Sequence, residues 1–224
     1  SYPRTLDEDV AKLATVDADF VFAPSIDEMY PVLPPPTSVR AGAITAQLCG
    51  QSRFGHFDGV GIVVSKLFNI VQPDIAVFGQ KDYQQLAIIK QLVRDLSYSI
   101  DIIGAPIVRA DDGLALSSRN QYLSASERQI APVLHQELQR LAHQLTSSKL
   151  SQQEADSLLA QTQTRINEAG FTVDYLEIKT DELNDITESA AFNTENKNLI
   201  ILVAAWLGRA RLLDNQLVAV NRPL

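Results

Sequence analysis

The chain has 224 residues, 46% of them hydrophobic and 21% charged, with a formal net charge of −8. That length buries a proper core in one or two domains, and that charge repels a polyphosphate backbone, which argues against nucleic-acid binding by a broad basic face but leaves small anions in a local cationic pocket open. The single cysteine, Cys49, excludes an internal disulfide and a Cys-based zinc site, and no apolar run approaches the ~18 residues of a membrane span, so a cytoplasmic protein with no membrane partner is expected.

The first residue is Ser1 rather than Met, and residues 1–5 carry neither a cationic nor an apolar leader pattern. The expectation is a fragment of a longer protein without a signal peptide. Thr5-Leu-Asp-Glu8 has the form of a capping box opening a helix on Leu6, Val10 and Leu13. Phe20-Val-Phe-Ala23 reads as a buried strand closed by Pro24, and the proline-rich residues 31–37 as a surface loop. Val60, Val63, Val64, Leu67, Phe68 and Val71 follow helical spacing and stop before Pro73. A short apolar run, Ile75-Ala-Val-Phe78, ends at Gly79, a helix is expected over 83–96, and a strand over 100–108 is interrupted near Pro106. Strand, loop, helix, strand is the pattern of a parallel sheet with crossover helices.

Beyond Val108 the pattern changes. Ser124-Ala-Ser-Glu127 is a second capping box, expected to open one long helix whose apolar face is Ile130, Val133, Leu134, Leu138, Leu141 and Leu145. His135 and His143 would sit on its surface. A loop over 146–153, a helix over 154–169 with Gly170 as its C-cap, and strands at 173–178, 198–206 and 211–213 complete the chain, with Trp206 as core. The division falls near residue 108, and the second part reads as a small α+β domain.

Three clusters carry chemistry. Gly79-Gln-Lys-Asp82 stands at a strand-to-helix junction, where ligands of open parallel sheets bind and helix N-termini present free N–H groups to anions. Gly79 permits close backbone approach, Lys81 neutralises phosphate, and Asp82 accepts from a ribose hydroxyl; Asp82 with Gln85 equally has the form of a helix cap. Ser117-Ser-Arg119 offers two hydroxyls and a forked cation to phosphate oxygens, or is a turn with an exposed arginine. Arg53-Phe-Gly-His56 places a cation and an imidazole in a glycine-containing loop. The acidic run Asp7, Glu8, Asp9 suits a divalent ion, but a first helical turn favours acidic residues on its own.

In this order, the stretches Tyr2 to Thr5, Phe22 to Pro24, Arg53 to Phe57, Val64 to Phe68, Gln72 to Asp74, Gly79 to Leu86, Asp112 to Asn120, Leu202 to Ala205 and Arg211 to Asn215 resemble the pantoate–β-alanine ligase family over essentially the whole chain. The resemblance implies an α/β protein. Residues 1–108 would be the C-terminal portion of a Rossmann-like nucleotidyltransferase domain, incomplete at its N-terminus and related to class I aminoacyl-tRNA synthetases. Residues 109–224 would form a small α+β lid domain. It implies a homodimer and two half-reactions: the carboxylate of (R)-pantoate attacks the α-phosphorus of ATP, and the amine of β-alanine then displaces AMP from pantoyl adenylate. Gly79, Gln80, Lys81, Asp82, Val108, Leu116, Ser117, Ser118 and Arg119 would form the ATP site, with Lys81, Ser117, Ser118 and Arg119 catalytic and Gln85 on pantoate.

Mg²⁺ would accompany ATP. Glu8 and Asp9 fall where some members are thought to hold it, but the third such position is Lys12. Gln80 stands where members usually carry Glu. The family's Pro-Thr-Met-Gly segment, its His-x-Gly-His signature and a glutamine contacting pantoate and β-alanine have no counterpart here, so the chain on its own is expected to be inactive. A nucleotidyltransferase that retains its adenylate, or an inactive binding or dimerisation module, are the alternatives.

Overall fold

In the computed structural model, residues 5–147, 151–186 and 198–218 are described, and the chain divides into two compact units, Ser1–Ser38 and Val39–Leu224. The first unit holds helix α1 (Leu6–Ala14) and a short α2 (Ile26–Met29) closed by a Ser25–Glu28 capping box. The expected cap on α1 does not form. Thr5 donates its hydroxyl to Asp9 at 3.4 Å instead of accepting from the helix backbone. Nor do residues 20–23 form a strand. A strand exists through its ladder, and no described residue pairs with this segment, so Phe20 is left 94% exposed.

The second unit begins with a 3₁₀ turn (Gly42–Ala46), a short α3 (Cys49–Ser52) and α4 (His56–Val71). Strand β1 (Ile75–Gly79) runs through a 3₁₀ turn (Gln80–Asp82) into α5 (Tyr83–Asp95), which crosses over to β2 (Asp101–Ala105). β1 and β2 pair in parallel from Ile75↔Asp101 to Gly79↔Ala105. Val64 and Phe68 of α4 and Ile89 of α5 pack together against Ala76, Phe78 and Ile102 of the sheet. This is the strand–helix–strand unit read from the sequence, with β2 ending before Pro106, which has no N–H for a ladder.

The remaining elements are α6 (Ala125–Ile130), α7 (Val133–Ser147), α8 (Gln152–Glu168) and an antiparallel meander of β3 (Thr172–Thr180), β4 (Leu199–Leu207) and β5 (Ala210–Val218). The single long helix expected after Ser124 is two. Pro132 removes a backbone donor and breaks it between α6 and α7. The Ser124–Glu127 capping box is present as read, and Ser151 with Glu154 forms another at the start of α8.

β4 is apolar at nearly every position because both of its faces are covered. Leu199, Ile201, Val203, Ala205 and Leu207 join Leu134, Leu138 and Leu141 of α7 and Ile166 of α8 in the main core. Ile200 and Leu202, on the opposite face, pack with Leu48 and Leu183 against Tyr83 and Ala87 of α5. The meander is therefore the wall between the helical layer and the parallel unit. Trp206, expected in the core, lies at the end of β4 and is 45% exposed. β5 is longer than the run 211–213, continuing through Asp214, Asn215 and Gln216.

Candidate functional site

The 79–82 turn is built where β1 ends. Gly79 has an ordinary φ of −69°, and a Cβ there would meet no atom within 4 Å, so packing does not demand the glycine; its lack of a side chain leaves open space above the strand end. Gln80 donates its amide to Gly104 O at 3.2 Å. That side chain is committed to the neighbouring strand, a contact that a carboxylate could not make. Asp82 makes no capping bond to α5 and is exposed, so the cap reading of Asp82 and Gln85 is not realised.

One small cleft is lined by Arg53, His56, Lys81, Asp82, Gln85, Tyr175 and Asn215, among others. Gly55, at φ 74°, takes the left-handed conformation that turns the chain into α4 and brings His56 to this wall. The neighbouring residue Gln84 is buried and accepts from Cys49 N at 3.1 Å while donating to Ile44 O and Gln47 O at 2.9 and 2.7 Å. It holds the approach to Arg53. Behind the cleft, Arg211 pairs with Asp174 at 2.6 Å and reaches the Cys49 sulfur at 3.5 and 3.6 Å, and that sulfur lies 3.2 Å from the Tyr175 hydroxyl. Burial, reinforced by the neighbouring thiol, pushes the Tyr175 pKa up, so its phenol stays protonated.

A smaller hollow adjoins the first and shares Lys81 and Asp214 with it; Ser117, Asn120 and His135 complete its polar lining. The structure thus brings Lys81 and Ser117, from separate loops, to one place. The second loop leaves a tight turn in which Arg109 bridges Ala115 and Leu116 N donates to Val108 O at 2.9 Å. Val108 and Leu116 are largely exposed. Ser117 Oγ accepts from Arg119 N at 3.2 Å, capping the 3₁₀ turn Ser118–Tyr122, so its hydroxyl hydrogen remains to be donated. Ser118 is exposed beside it.

Among the described residues, Arg53, Lys81 and Arg119 have no carboxylate within ion-pairing distance. Burial and then the Arg119 charge lower the Arg53 pKa. Burial, then Arg53 and Arg119, lower that of His56 against the opposing pull of Asp82, which favours a neutral imidazole. Cations that repel one another around a cleft are relieved by a polyanion.

His135, expected on the helix surface, is buried on α7, with Nδ1 3.7 Å from Asp214. Asp214 and Asn215 also line this region, with Arg109 bonded to Asp214, and the sequence reading assigns none of the three a role. Their signal is a polar pair in mid-strand, where Asp and Asn are disfavoured. Glu8 and Asp9 lie exposed in the first turn of α1, and among the described residues no group of three or more His, Cys, Asp or Glu is placed to hold a metal ion.

A parallel strand–turn–helix unit with cations at the strand ends, beside an antiparallel meander with its own helices, is an α/β arrangement of the kind that binds ligands beyond its strand ends. The sequence model of the pantoate-beta-alanine ligase family matches residues 1–217. A pantothenate synthetase of Psychrobacter arcticus is 73% identical over 224 residues, 100% of this chain and 76% of that protein. The crystal structure of a pantothenate synthetase from Thermus thermophilus superposes with a TM-score of 0.83 at 40% identity, covering 96% of this chain and 75% of that one. A pantoate-beta-alanine ligase from Francisella tularensis, complexed with beta-gamma ATP and beta-alanine, does so with a TM-score of 0.72 at 32% identity, covering 98% and 72%. The chain belongs to the pantoate–β-alanine ligase family.

Proposed function

We propose that the protein joins (R)-pantoate to β-alanine at the expense of ATP, through pantoyl adenylate. The observation that carries this reading is the convergence of Lys81 with the 117–119 loop on one region of unpaired cations. In the first half-reaction a pantoate carboxylate oxygen bonds to the α-phosphorus as the bond to the bridging oxygen breaks, and pyrophosphate leaves. Negative charge grows on the departing phosphates, and fixed cations stabilise it without reorganising. Lys81 and Arg119 supply those charges, Ser117 and Ser118 donate to phosphate oxygens, and the 79–82 turn receives the nucleotide beside Val108 and Leu116. Asp82 accepts from ribose and Gln85 binds pantoate through its amide. In the second half-reaction the amine of β-alanine attacks the acyl carbon, AMP leaves with its phosphate oxygen, and the nitrogen sheds a proton.

Mg²⁺ enters as the counter-ion of ATP. The isolated pair Glu8 and Asp9, with Lys12 one turn on, does not make a protein-held metal site, and no step is assigned to it. The same reading places the domain boundary near residue 108 and the enzyme in the cytoplasm as a homodimer. The test is exchange of labelled pyrophosphate into ATP by the full-length protein. Exchange should require pantoate, and AMP and pantothenate should appear only once β-alanine is added. Amide formation without AMP would refute the reading.

A further inference from the structure

Asp214 and Asn215 are consecutive on β5, so their side chains leave opposite faces of the meander. On one face the Asp214 carboxylate, 3% exposed, accepts from Arg109 Nη1 at 2.7 Å and Nη2 at 2.9 Å. Arg109 Nη1 also donates to Gly113 O at 3.1 Å, bracing the turn that delivers residues 116–119. On the other face the Asn215 amide donates to Gln80 O at 2.9 Å and to Lys81 O at 3.0 Å. Two adjacent side chains of one strand thus grip the roots of both loops. Sheet stability does not ask for this pair, since burying an acid and an amide in mid-strand costs free energy that apolar residues would not.

We propose that Asp214 and Asn215 are a positioning pair that sets the spacing between Lys81 and the Ser117–Arg119 loop to the span of a triphosphate. The proposal rests on the adenylate-forming function given above. Each acts through a loop, Asp214 through Arg109 and Asn215 through the backbone carbonyls of Gln80 and Lys81. A shift of about 1 Å in a charged group costs on the order of 10²-fold in rate, so the step that uses the triphosphate should depend on this grip and the step that does not should be spared.

The experiment compares half-reactions in the full-length protein. Asn215→Asp is isosteric but turns an oxygen toward the two carbonyls, and Asn215→Ala removes the donor without adding repulsion. Both should slow pantoate-dependent pyrophosphate exchange, the first by on the order of 10²-fold. Transfer of preformed pantoyl adenylate to β-alanine should change by less than about 3-fold. In a Lys81→Ala background the same substitutions should add less than about 3-fold, because the interaction acts through Lys81. Equal loss in both half-reactions, full additivity with Lys81→Ala, or unchanged exchange would overturn the proposal. Absence of exchange in the unsubstituted protein would instead overturn the function on which it rests.

Discussion

Around the meander and the helices packed on it the cations are matched. Arg109 lies bidentate against Asp214, and Arg165 meets Glu137 at 2.6 Å with Arg140 beside it. Near the ends of β1 and the 109–115 turn, Arg53 and Lys81 in the cleft wall, and Arg119 close enough for its charge to act on Arg53, have no such partners among the described residues. The same residue types therefore do opposite work. A matched buried pair fixes the scaffold, because removing one partner strands the other, whereas a set of unmatched charges stores repulsion that an anionic ligand relieves.

Substitutions on the two sides should separate accordingly. The largest expected effect is on the matched side. Arg109→Met leaves the buried Asp214 without its guanidinium partner, and should lower unfolding free energy by about 3–5 kcal/mol in a urea titration. The double substitution Arg109→Met with Asp214→Leu should recover much of that loss. On the unmatched side, Lys81→Ala or Arg119→Ala should slow pyrophosphate exchange by on the order of 10²-fold or more while leaving the urea midpoint near its original value. A stability loss there, or unchanged turnover, would erase the distinction.

The smallest effect concerns pH. Burial, then the Arg109 charge, holds the His135 pKa below its ordinary value, with Asp214 opposing. Between the folded and unfolded pKa values the unfolded chain binds more protons. The stability that the neutral imidazole contributes is present above about pH 6.5 and lost as pH falls through the folded pKa. His56 adds a shift of the same sign. His135→Gln should therefore flatten, without abolishing, the fall in melting temperature between pH 7 and pH 5.5. An unaltered slope would show that His135 does not titrate in this window.

Much of the parallel unit is legible in the sequence because its signals are local. The spacing of Val60, Val64 and Phe68 and the stop at Pro73 specify α4 without reference to the rest of the chain. The Ser124–Glu127 box is equally plain. What escapes are features defined by partners distant in sequence. Residues 20–23 look like a strand until a ladder is sought for them. His135 looks exposed on its helix until Asp214, far along the chain, is found facing it. Asp214 and Asn215 look like the end of a strand because their polarity hides the continuation of β5, and only their contacts reveal why polar groups stand there. In the site, the two loops are readable as anion-binding turns, but their nearness to each other and the supporting part of Arg53 and His56 depend on the meander between them. Gln80 reads as a phosphate neighbour, and the bond from its amide to Gly104 is a feature that the local sequence does not show.

The most direct measurement is a crystal structure of the full-length protein with a non-hydrolysable ATP analogue. The account predicts the polyphosphate between Lys81 and the Ser117–Arg119 loop, with Arg53 and His56 on the flanking wall. Nucleotide bound elsewhere, with both loops clear of phosphate, would contradict it.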